Sequence, residues 1–218
     1  MRKSAESPTI LVAEDNEPMR LVLRELLRPA GYRLLEAADG MSALLLAEER
    51  LPALVVLDLY LPGLSGIELA ERFQGWMPFL VLTVDRQDAS VQTCLERGAL
   101  GYAVKPPDPA GFLLQVRTAL ARGEEHRQLR QAIQETQQVA KAIGVLMMYG
   151  NLPEDVAHRA LVRQASVERR RAVEVATELI AAGACIGRFR RSQGQGVTLT
   201  PVEVAAFDCL HRFRFDLE

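Results

Sequence analysis

Five residues of this chain carry chemistry and fall at similar places in the pattern. Glu14 and Asp15 follow the apolar run Thr9 to Ala13, Asp58 follows Ala53 to Leu57, Thr83 lies in Phe79 to Val84, and Lys105 follows Leu100 to Val104. In an open parallel sheet the ligand crevice lies outside the carboxyl ends of the strands, so these positions converge there. Three converging carboxylates repel one another and leave one protonated unless a divalent cation sits among them. Oxygen donors of this kind favour Mg²⁺. With a metal neutralising charge, Asp58 can attack an incoming phosphoryl group. Lys105 supplies the compact cation for the phosphate, and it stands out as one of three lysines among 26 basic residues. The alternative for any single acid is that it caps the following helix. Strand-end placement of the whole set favours the pocket.

A second constellation is basic. Arg159 and Arg163 are four apart, Arg169, Arg170 and Arg171 are consecutive, and residues 159–191 hold eight arginines against three glutamates. Guanidinium groups bind phosphate bidentately and stack on unpaired bases, which suits an RNA loop better than a smooth duplex. A solvated face with salt bridges to Glu168, Glu174 and Glu178 is the competing reading.

The elements that must position these groups alternate in the first half. The five apolar runs, with Arg33 to Glu36 as the second, read as strands separated by amphipathic helices. Asn16 and Pro18 open the first helix, and Pro29 with Gly31 closes it. Apolar strands each followed by a helix make a doubly wound α/β unit with a parallel sheet covered on both faces. From Gly111 the period is helical. Leu129, Ile133, Thr136, Ala140, Ile143 and Met147 alternate spacings of four and three, as in a coiled-coil seam or a helical hairpin. Two further helices are expected to open at Asn151 with Glu154 and at Ser166 near Glu168, giving a three-helix unit. Gly144 in mid-helix suggests close helix approach there. Beyond a joint at Gly194 to Gly196, Thr200 and Glu203 form a capping box opening a last helix with Val204, Phe207, Leu210 and Phe213 on roughly one side. That helix is expected to dock on the protein or on a second subunit, and the sharper form of the expectation is autoinhibition of the arginine edge. Its "LTP-x-E" opening is similar to that of winged-helix domains, but too few residues follow to build one.

With 218 residues, 49% apolar and 25% charged, the chain suits one or two globular domains. No apolar run approaches the ~20 residues needed to span a bilayer. Cys94, Cys185 and Cys209 form no CxxC pair, which argues against a disulfide framework or zinc site and fits a reducing cytoplasm. The expected division is 1–121 for the α/β unit, 122–140 for a helical linker, 126–182 for the helical module and 183–218 for an extension.

Residues 8 to about 121 resemble a response-regulator receiver of the CheY type. The resemblance rests on Val12-Ala13-Glu14-Asp15, Val55-Val56-Leu57-Asp58 with Leu61-Pro62-Gly63 and Gly66, Val81-Leu82-Thr83, and Ala103-Val104-Lys105-Pro106. It implies strand order 2-1-3-4-5, Asp58 as phosphoacceptor, and Glu14, Asp15, Asp58 and the Tyr60 backbone carbonyl as Mg²⁺ ligands. Thr83 and Tyr102 are then the switch, and Lys105-Pro106 is joined by a cis peptide. The plain alternative for Tyr102 is a half-buried strand aromatic.

Residues 126 to about 182 resemble the ANTAR module of the AmiR and NasR antitermination regulators. Ala142-Ile143-Gly144-Val145-Leu146-Met147 and Pro153-Glu154-Asp155-Val156-Ala157 carry the match, with Leu161, Arg163, Ala165, Arg169-Arg170-Arg171 and Val175-Ala176 behind. The family often has Lys where Ile143 stands, and the connection from Ala165 to the arginine triplet is about one residue short. The two resemblances together imply a response regulator, phosphorylated by a sensor histidine kinase, that binds RNA hairpins of nascent transcripts and prevents termination. A dimer would put two basic edges on one body and make a weak contact bivalent, so a homodimer on activation is expected, with Arg159, Arg163, Arg169, Arg170 and Arg171 as candidate RNA contacts from their spacing. Rival readings are a DNA-binding regulator and a protein-interaction regulator that never touches nucleic acid. No turnover enzyme is expected.

Overall fold

The computed structural model describes residues 7–84, 89–192, 208–209 and 212–213. The chain divides into two units, Met1–Gln128 and Leu129–Glu218.

The first unit is a five-stranded parallel sheet in the order β2-β1-β3-β4-β5. Its strands are β1 (Thr9–Ala13), β2 (Arg33–Ala37), β3 (Leu54–Asp58), β4 (Phe79–Thr83) and β5 (Tyr102–Val104), within a residue or two of the apolar runs. Interleaved are α1 (Glu17–Leu27), α2 (Gly40–Arg50), α3 (Gly66–Phe73) and α4 (Ala89–Glu96), and α5 (Pro109–Gly150) follows β5. Strands β3 and β4 are buried along their whole length because both faces of the sheet are covered. One face packs Leu11, Val55, Leu57, Phe79 and Val81 against Leu69, Phe73, Val91 and Cys94 of α3 and α4. The other packs Ile10, Val12, Val56, Leu80 and Leu82 against Leu23 and Leu27 of α1 and Phe112, Val116 and Ala119 of α5. The strand period of two therefore splits each strand between two cores.

Register fixes the site. β1 and β3 pair Ala13 with Leu57, so the residues that follow, Glu14 and Asp58, leave the sheet side by side. The Asn16 side chain accepts from Met19 N at 2.9 Å and starts α1 where the sequence places it, with Pro in the first turn. Gly66 opens α3 against the end of β3, and a Cβ at that position would collide with the Asp58 carbonyl oxygen.

The second unit is built from residues 129–150 of α5, α6 (Glu154–Glu168) and α7 (Ala172–Ser192). Its core holds Ala142, Ile143, Leu146, Leu152, Ala157, Leu161, Ala165, Val175, Ala176 and Leu179. Three local expectations are corrected. Asn151 is not an N-cap: it takes a left-handed φ of 50° in the turn after α5, and α6 begins after Pro153 with no side-chain cap. Ser166 lies inside α6, bonding back to the Val162 carbonyl, and the break comes later, at Arg169 (φ 54°). Gly144 is exposed with nothing within 4 Å of a would-be Cβ; the close approach is at Gly183, where a Cβ would meet Val145 at 2.9 Å. The expected linker, 122–140, lies inside the unbroken helix α5.

Candidate functional site: an acidic pocket and an arginine edge

The loop from β1 to α1 delivers Glu14 and Asp15, the end of β3 delivers Asp58, the end of β4 Thr83, and the residue after β5 Lys105. Glu14, Asp58 and Thr83 are the buried polar residues among those described. One carboxylate oxygen each from Glu14, Asp15 and Asp58 lies within 4.8 Å of the others. Lys105 Nζ sits 2.7 Å from Glu14 Oε2 and 2.8 Å from Asp58 Oδ2. Burial pushes the Glu14 carboxyl above its ordinary value and the neighbouring Asp58 adds to this, while Lys105 pulls the other way. Each carboxylate oxygen has two lone pairs, more than Lys105 and the backbone donors at Glu14 and Asp58 fill, so the donor set retains lone pairs for a hard cation. These residues fit Mg²⁺. Asp15, exposed, is the pocket's open side.

Tyr60 N donates to Asp58 Oδ1 at 3.3 Å, and its side chain is exposed. Thr83 is fully buried, and its carbonyl accepts from Lys105 N at 2.7 Å, tying the ends of β4 and β5 together. Tyr102 is half-buried in β5 and packs against the core that holds Val91 and Cys94. Lys105-Pro106 is a cis peptide.

The arginine candidates have different surroundings. Arg159 is exposed and pairs with Asp155 one turn back at 2.9 Å. Arg163 is exposed on α6, and Arg169 is exposed where α6 ends. Arg170 is held by three glutamates: Glu178 at 2.6 Å, Glu168 at 3.2 Å and Glu174 at 3.5 Å. The Glu178 bond leads in pushing its guanidinium above the usual value and in holding the Glu178 carboxyl below its own. Arg171 reaches Glu135 on α5 at 2.6 Å. Of the expected seam, Leu129, Ile133, Thr136, Ala140 and Met147 are exposed, and Ile143 turns into the unit's own core.

Sequence reasoning missed three things. Arg20 on α1 donates to the Glu14 and Asp15 carbonyls, a contact signalled only by an arginine one turn into the helix after the acids. Glu135 has no local mark of its role. Arg212 lies 3.6 Å from Glu168 and 3.7 Å from Glu178. Phe213, by contrast, is expected from the sequence on a docking face, and it is buried in the core of the second unit, with Cys209 against Ala182. The expected capping box at Thr200 and Glu203, the joint at Gly194 to Gly196, Val204, Phe207 and Leu210 lie outside the described residues.

A parallel sheet of this order with three acids and a lysine at its carboxyl end defines the receiver class. Residues 10–117 match the response regulator receiver domain and residues 127–180 the ANTAR domain. The chain belongs to the response regulators that carry an ANTAR domain behind a receiver. It is similar to the transcriptional regulatory protein AfsQ1 of Streptomyces coelicolor, 37% identical over 119 residues, 54% of this chain and 53% of that one. The chain thus spans about half the length of that relative. Against the transcriptional regulatory protein PdtaR of Mycobacterium tuberculosis it is 29% identical over 181 residues, covering 78% of this chain and 88% of the relative. Among solved structures it is similar to the signal receiver domain of an HD domain-containing protein from Pseudomonas fluorescens, with TM-score 0.52 and 29% identity over 55% of this chain and 98% of that one. The CheY-like receiver domain protein from Methanospirillum hungatei gives TM-score 0.51 and 25% identity, over 55% and 98%. Among the described residues no helix is long and apolar enough to cross a membrane.

Proposed function

We propose that this response regulator is phosphorylated on Asp58 by a sensor histidine kinase and then controls transcript elongation by binding small RNA hairpins through its ANTAR unit. The observation that carries the first half is Lys105 bridging Glu14 and Asp58 beside Asp15. Glu14, Asp15, Asp58 and the Tyr60 carbonyl would hold Mg²⁺, whose charge offsets that of the phosphoryl group. An Asp58 oxygen attacks phosphorus, the bond from phosphorus to the donor imidazole breaks, and the imidazole keeps the electron pair. Lys105 pairs with a phosphoryl oxygen, and the Thr83 hydroxyl donates to another. Drawing Thr83 inward gives Tyr102 room to turn, which alters the surface of α4, β5 and the start of α5.

The second half is supported by the ANTAR match and by relatives named as transcriptional regulators. The exposed apolar residues Leu129 and Ile133 support a homodimer through α5. Two arginine edges on one body raise the effective concentration of the second contact. The protein would act in the cytoplasm, without enzymatic turnover.

The test is binding to RNA hairpins and to matched DNA across a salt series, with and without acetyl phosphate, together with molar mass. Preference for RNA, tightened by phosphorylation and accompanied by a doubled mass, is expected. Equal binding to both nucleic acids, or mass and affinity indifferent to phosphorylation, refutes it. The carboxylates that occupy Arg159, Arg170 and Arg171 favour a second reading, a protein-interaction regulator, for which neither nucleic acid binds.

A further inference from the structure

Among the metal-holding acids Asp15 has the least to hold it. Glu14 is buried, its backbone N–H donates to the Ala37 carbonyl at 3.1 Å, and its side chain accepts from Asn16 N at 3.2 Å as well as pairing with Lys105. Asp58 ends a fully buried strand and accepts from Tyr60 N. Asp15 is exposed, and its side chain makes no hydrogen bond or ion pair among the described residues. Its carbonyl, however, accepts from Arg20 Nη1 at 2.8 Å, and the same nitrogen reaches the Glu14 carbonyl at 2.7 Å.

Arg20 can hold this turn because its own backbone is fixed. Its N–H donates to the Asn16 carbonyl at 2.9 Å, and Asn16 caps the helix through Met19 N. The guanidinium therefore closes a loop of bonds around the Glu14–Asp15 turn and ties it to the first turn of α1. Charged donors make the stronger class of hydrogen bond, and here both fall on the peptide groups that aim the two acids.

We propose that Arg20 is a positioning residue that pre-sets Asp15 toward Glu14 and Asp58 for Mg²⁺. The inference rests on the reading that these three acids bind the metal. Fixing the peptide before the ion arrives lowers the ordering cost of binding. An opposing effect is that a guanidinium near the pocket repels a divalent cation. The two effects have opposite signs when Arg20 is removed, so the direction in which the Mg²⁺ midpoint moves shows which of them prevails.

The experiment uses the full chain with Arg20→Met, which keeps most of the length and loses charge and donors, and Arg20→Lys, which keeps the charge but is shorter and holds one carbonyl at most. Arg24→Met, which removes an arginine of the same helix that bonds Glu36 instead, is the control. Mg²⁺ is titrated by calorimetry and by its effect on phosphorylation by acetyl phosphate, and melting in EDTA reports the fold. R20M is expected to raise the Mg²⁺ midpoint three- to tenfold, tenfold being about 1.4 kcal/mol, with the phosphorylation rate at saturating Mg²⁺ within about twofold of wild type. R20K is expected to be intermediate, and R24M unchanged. A midpoint unchanged or lowered in R20M overturns the proposal. Should R20M melt too early to titrate, R20K decides, and no rise in its midpoint overturns it. Failure of the wild-type protein to bind Mg²⁺ would overturn the metal reading itself, an outcome distinct from a normal wild type and a normal R20M.

Discussion

Lys105→Met removes the cation that bridges two nearly buried carboxylates. The Lys105 side chain is 12% exposed, those of Glu14 and Asp58 1% and 3%, and both contacts are under 3 Å. Breaking a buried ion pair by deleting one partner costs about 3–5 kcal/mol, because the remaining charge is left without compensation. The exposed Asp15 side lets water relieve part of this, so the low end, about 3 kcal/mol, is expected in EDTA. On the proposed reading Lys105 and Mg²⁺ draw on the same carboxylates, so losing the lysine should tighten Mg²⁺ about tenfold, or 1.4 kcal/mol. At saturating Mg²⁺ the deficit then narrows to about half. Urea unfolding with and without Mg²⁺ measures both quantities, and Trp76, the chain's single tryptophan, reports on the receiver unit specifically. Phosphorylation by acetyl phosphate should fall despite tighter metal, since the phosphoryl oxygen loses its partner. Equal stability of K105M and wild type in EDTA, or a gap that Mg²⁺ leaves unchanged, would refute the reasoning.

Three other outcomes follow from the geometry. The Arg24 hydrogen bonds hold the Glu36 carboxyl below its ordinary value; a depressed carboxylate contributes stability above its unfolded pKa of about 4.3 and loses it as pH falls through the folded one. The melting difference between wild type and Glu36→Gln should therefore be full at pH 7, begin to shrink as pH falls below about 4.3, and vanish only once pH has passed the lowered folded pKa, whereas a constant gap would show that the pair is not its source. Phe213→Ala should destabilise the helical unit by about 3 kcal/mol, the low end for a buried phenylalanine, read by helical circular dichroism on urea titration; a change under about 0.5 kcal/mol, as at a surface position, would mean that the ring is not part of that core. Ile133→Glu, half-exposed on α5, should leave melting unchanged and abolish the phosphorylation-dependent rise in mass, and persistence of the dimer would move the interface elsewhere.

The receiver was largely legible because its signals are both local and redundant. A strand buried on two faces must read as an apolar run, and in a parallel sheet polar residues at the ends of such runs must converge, so Glu14, Asp58, Thr83 and Lys105 could be placed from spacing alone. The helical unit was legible in content and not in punctuation. Asn151 and Ser166 are good cap residues by type, yet the same side chains serve equally in a left-handed turn or bonded back to the preceding helical turn. Gly144 shows the same ambiguity: a glycine marks either contact or tolerance, and only packing distinguishes it from Gly183. Arg171 with Glu135, 36 residues apart, and Arg212 with Glu168 left no trace in periodicity because both are tertiary.

The pairing of the arginines bears on the proposed RNA-binding edge. An arginine held by an exposed carboxylate, as Arg159 is by Asp155, gives up little when phosphate replaces it, because surface pairs contribute about 0–1 kcal/mol. Arg170, ringed by Glu168, Glu174 and Glu178, must leave three acceptors that would then repel the incoming backbone. Arg170 is therefore better suited to hold the start of α7 against the end of α6, and on the proposed RNA-binding reading Arg159 would be a readier phosphate ligand than Arg170. Each phosphate contact made directly contributes to the slope of log affinity against log salt, whereas an arginine that only orders the unit lowers affinity through stability and leaves the slope unchanged. The two roles thus separate along the salt axis of one binding experiment.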